Sequence, residues 1–169
     1  MENKIVCFSA SSKNASKNHY KTVESNVMVS DILKYIEQMD ESLEGIKNLS
    51  MVSIWALGDS KKKFSQWSKL RCGDLAVFYS NKKFISYGEI IGLIANNKIA
   101  KFLWDDETYK YIVIMKPNTI INSSRERLWG KFGYSNKATI QGMMIPNIKR
   151  QNDFLKDYND LYSFMRDIM

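Results

Sequence analysis

Histidine and cysteine are scarce in this 169-residue chain: one histidine, His19, and two cysteines, Cys7 and Cys72. The cysteines form no C-x-x-C pair, and three such residues scattered along the chain offer no metal-ligand spacing. Buried free thiols are the expectation for both cysteines. No apolar run reaches the roughly 18–20 residues that a membrane helix requires. The opening Met1-Glu2-Asn3-Lys4 leads into a short apolar stretch ending at Ser9, which is not the pattern of a secretory signal. The expected location is therefore cytoplasmic, with no membrane partner. No G-x-x-x-x-G-K-[ST] phosphate loop, nuclease motif, internal repeat or low-complexity tract is present. No metal or cofactor is implied, no catalytic residue is assigned, and the chain is not expected to be an enzyme. The adjacent acids Asp105, Asp106 and Glu107 suit a solvated loop better than a Mg²⁺ site.

Positive charge and aromatic rings are abundant. The formal net charge is +7, with nine Tyr, eight Phe and four Trp, and the isoelectric point is about 9.3. A basic balance favours polyanionic partners. Rings together with cations are what a protein needs to grip nucleic-acid bases. With 44% hydrophobic and 25% charged residues, the composition is that of a globular protein with a core. The length suits one domain, residues 1–169, and an end at Met169 just after a helix is compatible with a fragment of a longer protein.

The patterning predicts strands over 4–9, 51–57, 74–80, 84–94, 99–103 and 109–115. It predicts a polar loop over 11–18 and helices over 30–43 (capped by Ser30, ended by Gly45), 61–71 (with Gly73 as its terminal glycine), 123–130 and 151–168. Asn81-Lys82-Lys83 makes a tight turn, and Gly88 and Gly92 mark bulges in the long strand. The fold class is α+β, with a curved, barrel-like, mostly antiparallel sheet flanked by helices.

The segment from Ser53 to Pro117 resembles YTH domains and their relatives the EVE domains, of the PUA-like superfamily. Ile54-Trp55-Ala56 looks like the segment carrying the first cage tryptophan of YTH domains. Phe78-Tyr79-Ser80-Asn81, then Phe84 and Gly88-Glu89, resembles their F-S-V-N…F-x-G-x-A-E turn. Trp104 followed by Tyr109-Lys110 resembles W-x-x-x-x-W-K, with tyrosine where a tryptophan is common. Trp67…Gly73-Asp74…Phe78-Tyr79 is closer to the W…GD…FY of EVE domains. Domains of this kind also stand at the N-termini of McrB-type restriction proteins, ahead of a GTPase motor.

The resemblance implies recognition of a methylated base flipped into an aromatic cage, with N6-methyladenine favoured and 5-methylcytosine next. Trp55, Trp104 and Tyr109 would be the walls, and an exposed Trp104 beside an acidic loop fits that role. Polar contacts would come from the Ala56 carbonyl, Asn81, Ser9 and Asn14. Core packing for Trp55 and plain turn chemistry for Asn81 are the competing readings. Phosphate contacts fall to Lys61, Lys62, Lys63, Lys82, Lys83, Arg125 and Arg127. Three lysines at a helix start are badly placed for the helix dipole, which suggests a partner. The implied partners are nucleic acid, methylated DNA ahead of RNA, and the GTPase motor and nuclease of the same system, fused downstream or separate. An RNA-binding domain reading N6-methyladenine in RNA, and a protein-interaction module, are the alternatives.

Overall fold

The computed structural model describes residues 3–135 and 137–169. Eight strands carry the fold: β1 (Ile5–Ser9), β2 (Val27–Met28), β3 (Met51–Leu57), β4 (Leu75–Ser80), β5 (Lys83–Ala95), β6 (Tyr111–Met115), β7 (Thr119–Ser124) and β8 (Met143–Met144). Among the described residues they hydrogen-bond in the order β2-β3-β6-β5-β4-β1-β8, with β7 on β5 off that path, and no pairing closes the sheet. β1 and β4 run parallel; β3–β6, β5–β6 and β5–β7 are antiparallel. Asn81 and Lys82, with φ of 49° and 64°, form a two-residue turn between β4 and β5. Its backbone twist suits a tight hairpin.

The chain forms two compact units. One comprises residues up to Ser16, Asp74–Tyr87 and Thr119–Met169; the other comprises Lys17–Gly73 and Gly88–Asn118. In the first unit, Ile5 and Cys7 of β1 and Leu75, Val77 and Tyr79 of β4 pack with Leu128, Trp129 and Phe132. The last three lie on α5 (Arg125–Phe132). Rings extend this core: Phe84 meets Trp129 at 5.5 Å, and Phe132 meets Phe154 at 5.2 Å. Aromatic pairs at these separations add about 0.5–1.5 kcal/mol beyond the area they bury. In the second unit, Ile54 and Ala56 of β3, Ile112 and Ile114 of β6, and Ile99, Ala100 and Leu103 share one core.

Several expected elements differ. The polar stretch 11–18 is not a loop throughout: α1 runs over Lys13–His19, continuing as a π-helical turn over Tyr20–Glu24. The Ser12 hydroxyl accepts the Ala15 amide, an end cap that no apolar periodicity advertises. The long helix of 30–43 is broken. α2 spans only Val29–Leu33, and Ser30 lies inside it. A 3₁₀ segment, Glu41–Ile46, follows, capped by the Asp40 side chain. Gly45 lies within that segment, packed on Ile91 too closely for a Cβ, which would come 2.8 Å from the Ile91 carbonyl oxygen.

The basic helix, α3 (Lys61–Trp67), ends short of Arg71. Gly73, instead of capping it, adopts φ of 92° and donates its amide to the Ile90 carbonyl. Residues 99–103 are helical rather than extended, as part of α4 (Asn97–Trp104), because the Asn96 side chain accepts the Ile99 amide and starts the helix. α5 continues past Gly130 and closes on left-handed Gly133. The terminal helix is two: α6 (Ile148–Leu155) and α7 (Leu161–Ile168). Asp160 caps Ser163 at 2.7 Å and restarts the backbone there. Cys7 is buried, as expected, but Cys72 is exposed. No helix among the described residues is long and apolar enough to cross a membrane.

Candidate nucleic-acid interface

Strand alternation decides where the three expected cage walls stand. Ile54 and Ala56 face the second unit's core, so Trp55 between them faces the other side of β3. There it is 8% exposed and meets the edge of His19, ring centroids 6.4 Å apart at 66°. Trp104 and Tyr109 pack instead against the core that Ile54 and Ala56 join. Their rings stand 6.1 Å apart at 66°. The structure thus brings two of the three expected residues together and sets Trp55 on the opposite face of β3.

Trp104 is the last residue of α4, and Asp105 follows in the left-handed conformation with φ of 57°. Trp104 is half-buried rather than exposed. Leu103 and the helix before it are committed to the core, and this draws the indole inward. Its Nε1–H is buried and meets no acceptor among the described residues. A buried donor in that state costs about 1–3 kcal/mol, a cost that an incoming acceptor removes. The acidic loop is ordered internally: Asp106 accepts the Thr108 amide at 2.9 Å and its hydroxyl at 2.7 Å. Lys101 neutralises Asp105 at 2.6 Å. On the outer side of α4, Tyr35, Asn97, Lys98, Lys101, Phe102 and Glu107 line an open cleft of about 330 Å³. Its rings, Tyr35 and Phe102, lie 5.3 Å apart.

The π-helical turn fixes the Trp55 side. The Thr22 hydroxyl donates to the Ile54 carbonyl at 2.6 Å. The Ser53 hydroxyl lies 3.0 Å from the Val23 carbonyl and 3.0 Å from Asn26 Oδ1, and it accepts the Asn118 amide. Such turns break regular helix geometry at a cost and recur at functional sites. His19 is 1% exposed and pairs with Glu24 through Nδ1 at 3.2 Å. Burial lowers its pKa; the charge and hydrogen bond of Glu24 oppose that. His19 formed no part of the expected site. A lone histidine in a polar stretch gives no sequence signal, because its partners come from strands and turns elsewhere.

The remaining expected residues are dispersed. Ala56 sits in β3 opposite Ile112. Ser9 ends β1 and donates its amide to the Gly142 carbonyl at 2.7 Å. Asn14 is exposed on α1, and Asn81, Lys82, Lys83 and Arg127 are exposed; all five belong with Ser9 to the first unit. Arg125 is 6% exposed, and its guanidinium donates to the Ala138 carbonyl at 3.1 Å. Lys61 and Lys62 are exposed and Lys63 is half-buried.

No family model matches this chain, and no curated protein matches it. The architecture is nevertheless a known α+β one. Among solved structures it is similar to the N-terminal domain of Thermococcus gammatolerans McrB bound to m5C DNA. The TM-score is 0.68 at 14% identity, covering 92% of this chain and 98% of the other. At that identity the likeness is one of fold.

Proposed function

We propose that this chain binds methylated DNA by turning a modified base out of the helix, as the targeting domain of a McrB-type modification-dependent restriction system. The observation that carries this reading is the shared fold with a McrB N-terminal domain described as bound to m5C DNA. Charge is in keeping with it: a net +7 supplies a salt-dependent hold on phosphates. A GTPase motor and a nuclease are the further partners this reading requires, and the domain itself is not an enzyme.

Extruding a base costs a few kcal/mol, and stacking on an aromatic wall returns about 1–3 kcal/mol per base. The methyl group adds only about 0.8 kcal/mol by leaving water. Polar contacts must therefore sharpen the choice. Trp104 and Tyr109, whose rings stand together, would be the walls, and the indole N–H of Trp104 is buried with no acceptor among the described residues, a donor that a base could reach only if the indole turns outward. N6-methyladenine is the base favoured by the YTH-like residues, with 5-methylcytosine the competitor. A second reading places the base on Trp55, which the edge-on His19 and the π-helical turn favour.

Binding to matched duplexes, with Trp104→Ala and Trp55→Ala alongside wild type, tests the assignment. Preference for a methylated duplex that vanishes in Trp104→Ala and survives in Trp55→Ala supports the Trp104–Tyr109 pair. The reverse pattern moves the base to Trp55. Preference for the same methylated sequence as RNA would transfer the function to RNA.

A further inference from the structure

Eight lysines of this protein are neutralised by nearby acids: Lys4, Lys34, Lys47, Lys98, Lys101, Lys110, Lys116 and Lys156. Lys61, Lys62 and Lys63, like Lys13, Lys82 and Lys83, have no such acid among the described residues. The first three are consecutive in α3. They sit at a helix start, where the backbone dipole opposes positive charge. Lys63 is further strained as a cation: burial, and then the charge of Lys62, lower its pKa. Charge held against these penalties suits an anionic ligand.

The next residue is Phe64, whose side chain is among the large apolar groups left outside, 49% exposed. It is not a loose ring. It lies 6.3 Å from Trp67 and 5.5 Å from Tyr111, which are themselves 5.6 Å apart. Trp67 is locked by its Nε1–H, which donates to the Ile112 carbonyl at 3.0 Å. The Tyr111 hydroxyl reaches Asp59 at 3.4 Å, and Lys110 Nζ lies 5.5 Å from the Tyr111 ring centre. The result is a rigid three-ring platform with one ring open and a cationic run beside it. An exposed ring on a preorganised base loses little freedom when another flat ring stacks on it, and every nucleobase offers such a face.

We propose that Phe64, backed by Trp67 and Tyr111, is a stacking platform for an unpaired base of a nucleic-acid strand whose phosphates lie along Lys61, Lys62 and Lys63. The inference rests on the nucleic-acid reading above but not on methyl recognition, because stacking and phosphate contacts are blind to methylation. A peptide partner would gain nothing from three uncompensated lysines unless it were itself strongly acidic, whereas a nucleic acid supplies both the charge and the ring.

The test is fluorescence anisotropy with a labelled unmodified single-stranded thymidine oligonucleotide, and with methylated and unmethylated duplexes, over a range of salt. Phe64→Ala is expected to weaken single-strand binding by about five- to a hundred-fold, and Phe64→Tyr to bind like wild type. Replacing all three lysines with glutamine is expected to lower the slope of log affinity against log salt by about two. Unchanged single-strand affinity in Phe64→Ala, or an unchanged slope in the lysine variant, would overturn the platform. So would wild-type protein that binds no nucleic acid. A Phe64→Ala variant that loses only its methylation preference would also overturn it, by placing Phe64 in the base pocket. Wild-type binding that ignores methylation but still depends on Phe64 would contradict the methyl reading and leave the platform standing.

Discussion

Gln151 stands in for a missing strand. β1 pairs with β4 along its length, but on its other side β8 reaches only Cys7 and Phe8. At Ile5 the gap is closed by the Gln151 side chain. Its Oε1 accepts the Ile5 amide at 2.7 Å, and its Nε2 donates to the Ile5 and Pro146 carbonyls at 3.1 and 3.0 Å. The residue is 1% exposed, so water cannot replace these bonds. Gln151→Glu keeps the shape and the acceptor but removes both donations, leaving a carboxylate facing two buried carbonyls. Each unsatisfied buried carbonyl costs about 1–3 kcal/mol, which puts the loss at about 2–6 kcal/mol at neutral pH. The introduced carboxyl has its pKa raised by that environment. The deficit is therefore full well above the ordinary glutamate pKa of about 4.3 and shrinks as pH falls through the raised value, because the protonated group can donate once. Urea unfolding followed by tryptophan fluorescence measures both. A variant within about 0.5 kcal/mol of wild type at neutral pH would refute the view that this amide completes the sheet.

The lowered pKa of buried His19 means that the unfolded chain takes up this proton first as pH falls. Wild type should therefore lose stability below the ordinary value of 6.5, with the loss complete once the pH is below the folded pKa. His19→Gln should flatten the urea midpoint between pH 7 and 5; an unchanged pH slope would show that His19 is not responsible. Gly45→Ala should destabilise by about 1–3 kcal/mol, because the new Cβ would lie 2.8 Å from backbone oxygen and 3.1 Å from Ile91 Cβ; an unaltered melting temperature would contradict that close packing. Thiol titration of the native protein should find one fast cysteine, exposed Cys72, and a second only on unfolding. Cys7 is 0% exposed, and burial pushes its thiol pKa up; two fast thiols would show that β1 is accessible.

The strands were legible where apolar residues alternate with turn residues beside them: β1, β3, β4 and β5 fall where the pattern puts them. Helices failed where an end cap, not periodicity, sets the backbone. Asn96 turns the β-prone Ile99–Leu103 into a helix, and Asp160 cuts one amphipathic run in two. The two-residue strands β2 and β8 are too short to carry a pattern, and β7 presents polar and apolar residues without alternation. For the candidate site, Trp104 and Tyr109 were legible as a spaced pair. The placement of Trp55 was not, because which face of β3 it occupies follows from what Ile54 and Ala56 bury. His19 and Phe64 were hidden for a shared reason: each matters through neighbours brought in by tertiary structure, Glu24 and Trp55 for one, Trp67 and Tyr111 for the other.

The proposed function has this fold, in this chain, reading methylation on DNA. The most direct measurement is the ratio of dissociation constants for one duplex sequence with and without a single methylated base, for both N6-methyladenine and 5-methylcytosine, at fixed salt. A methyl-reading pocket gives a ratio of about five or more for one of the two modifications, since such a pocket discriminates a methyl group by about 1–3 kcal/mol. Equal affinity for all four duplexes would contradict it and leave a basic domain that holds polyanions without reading them.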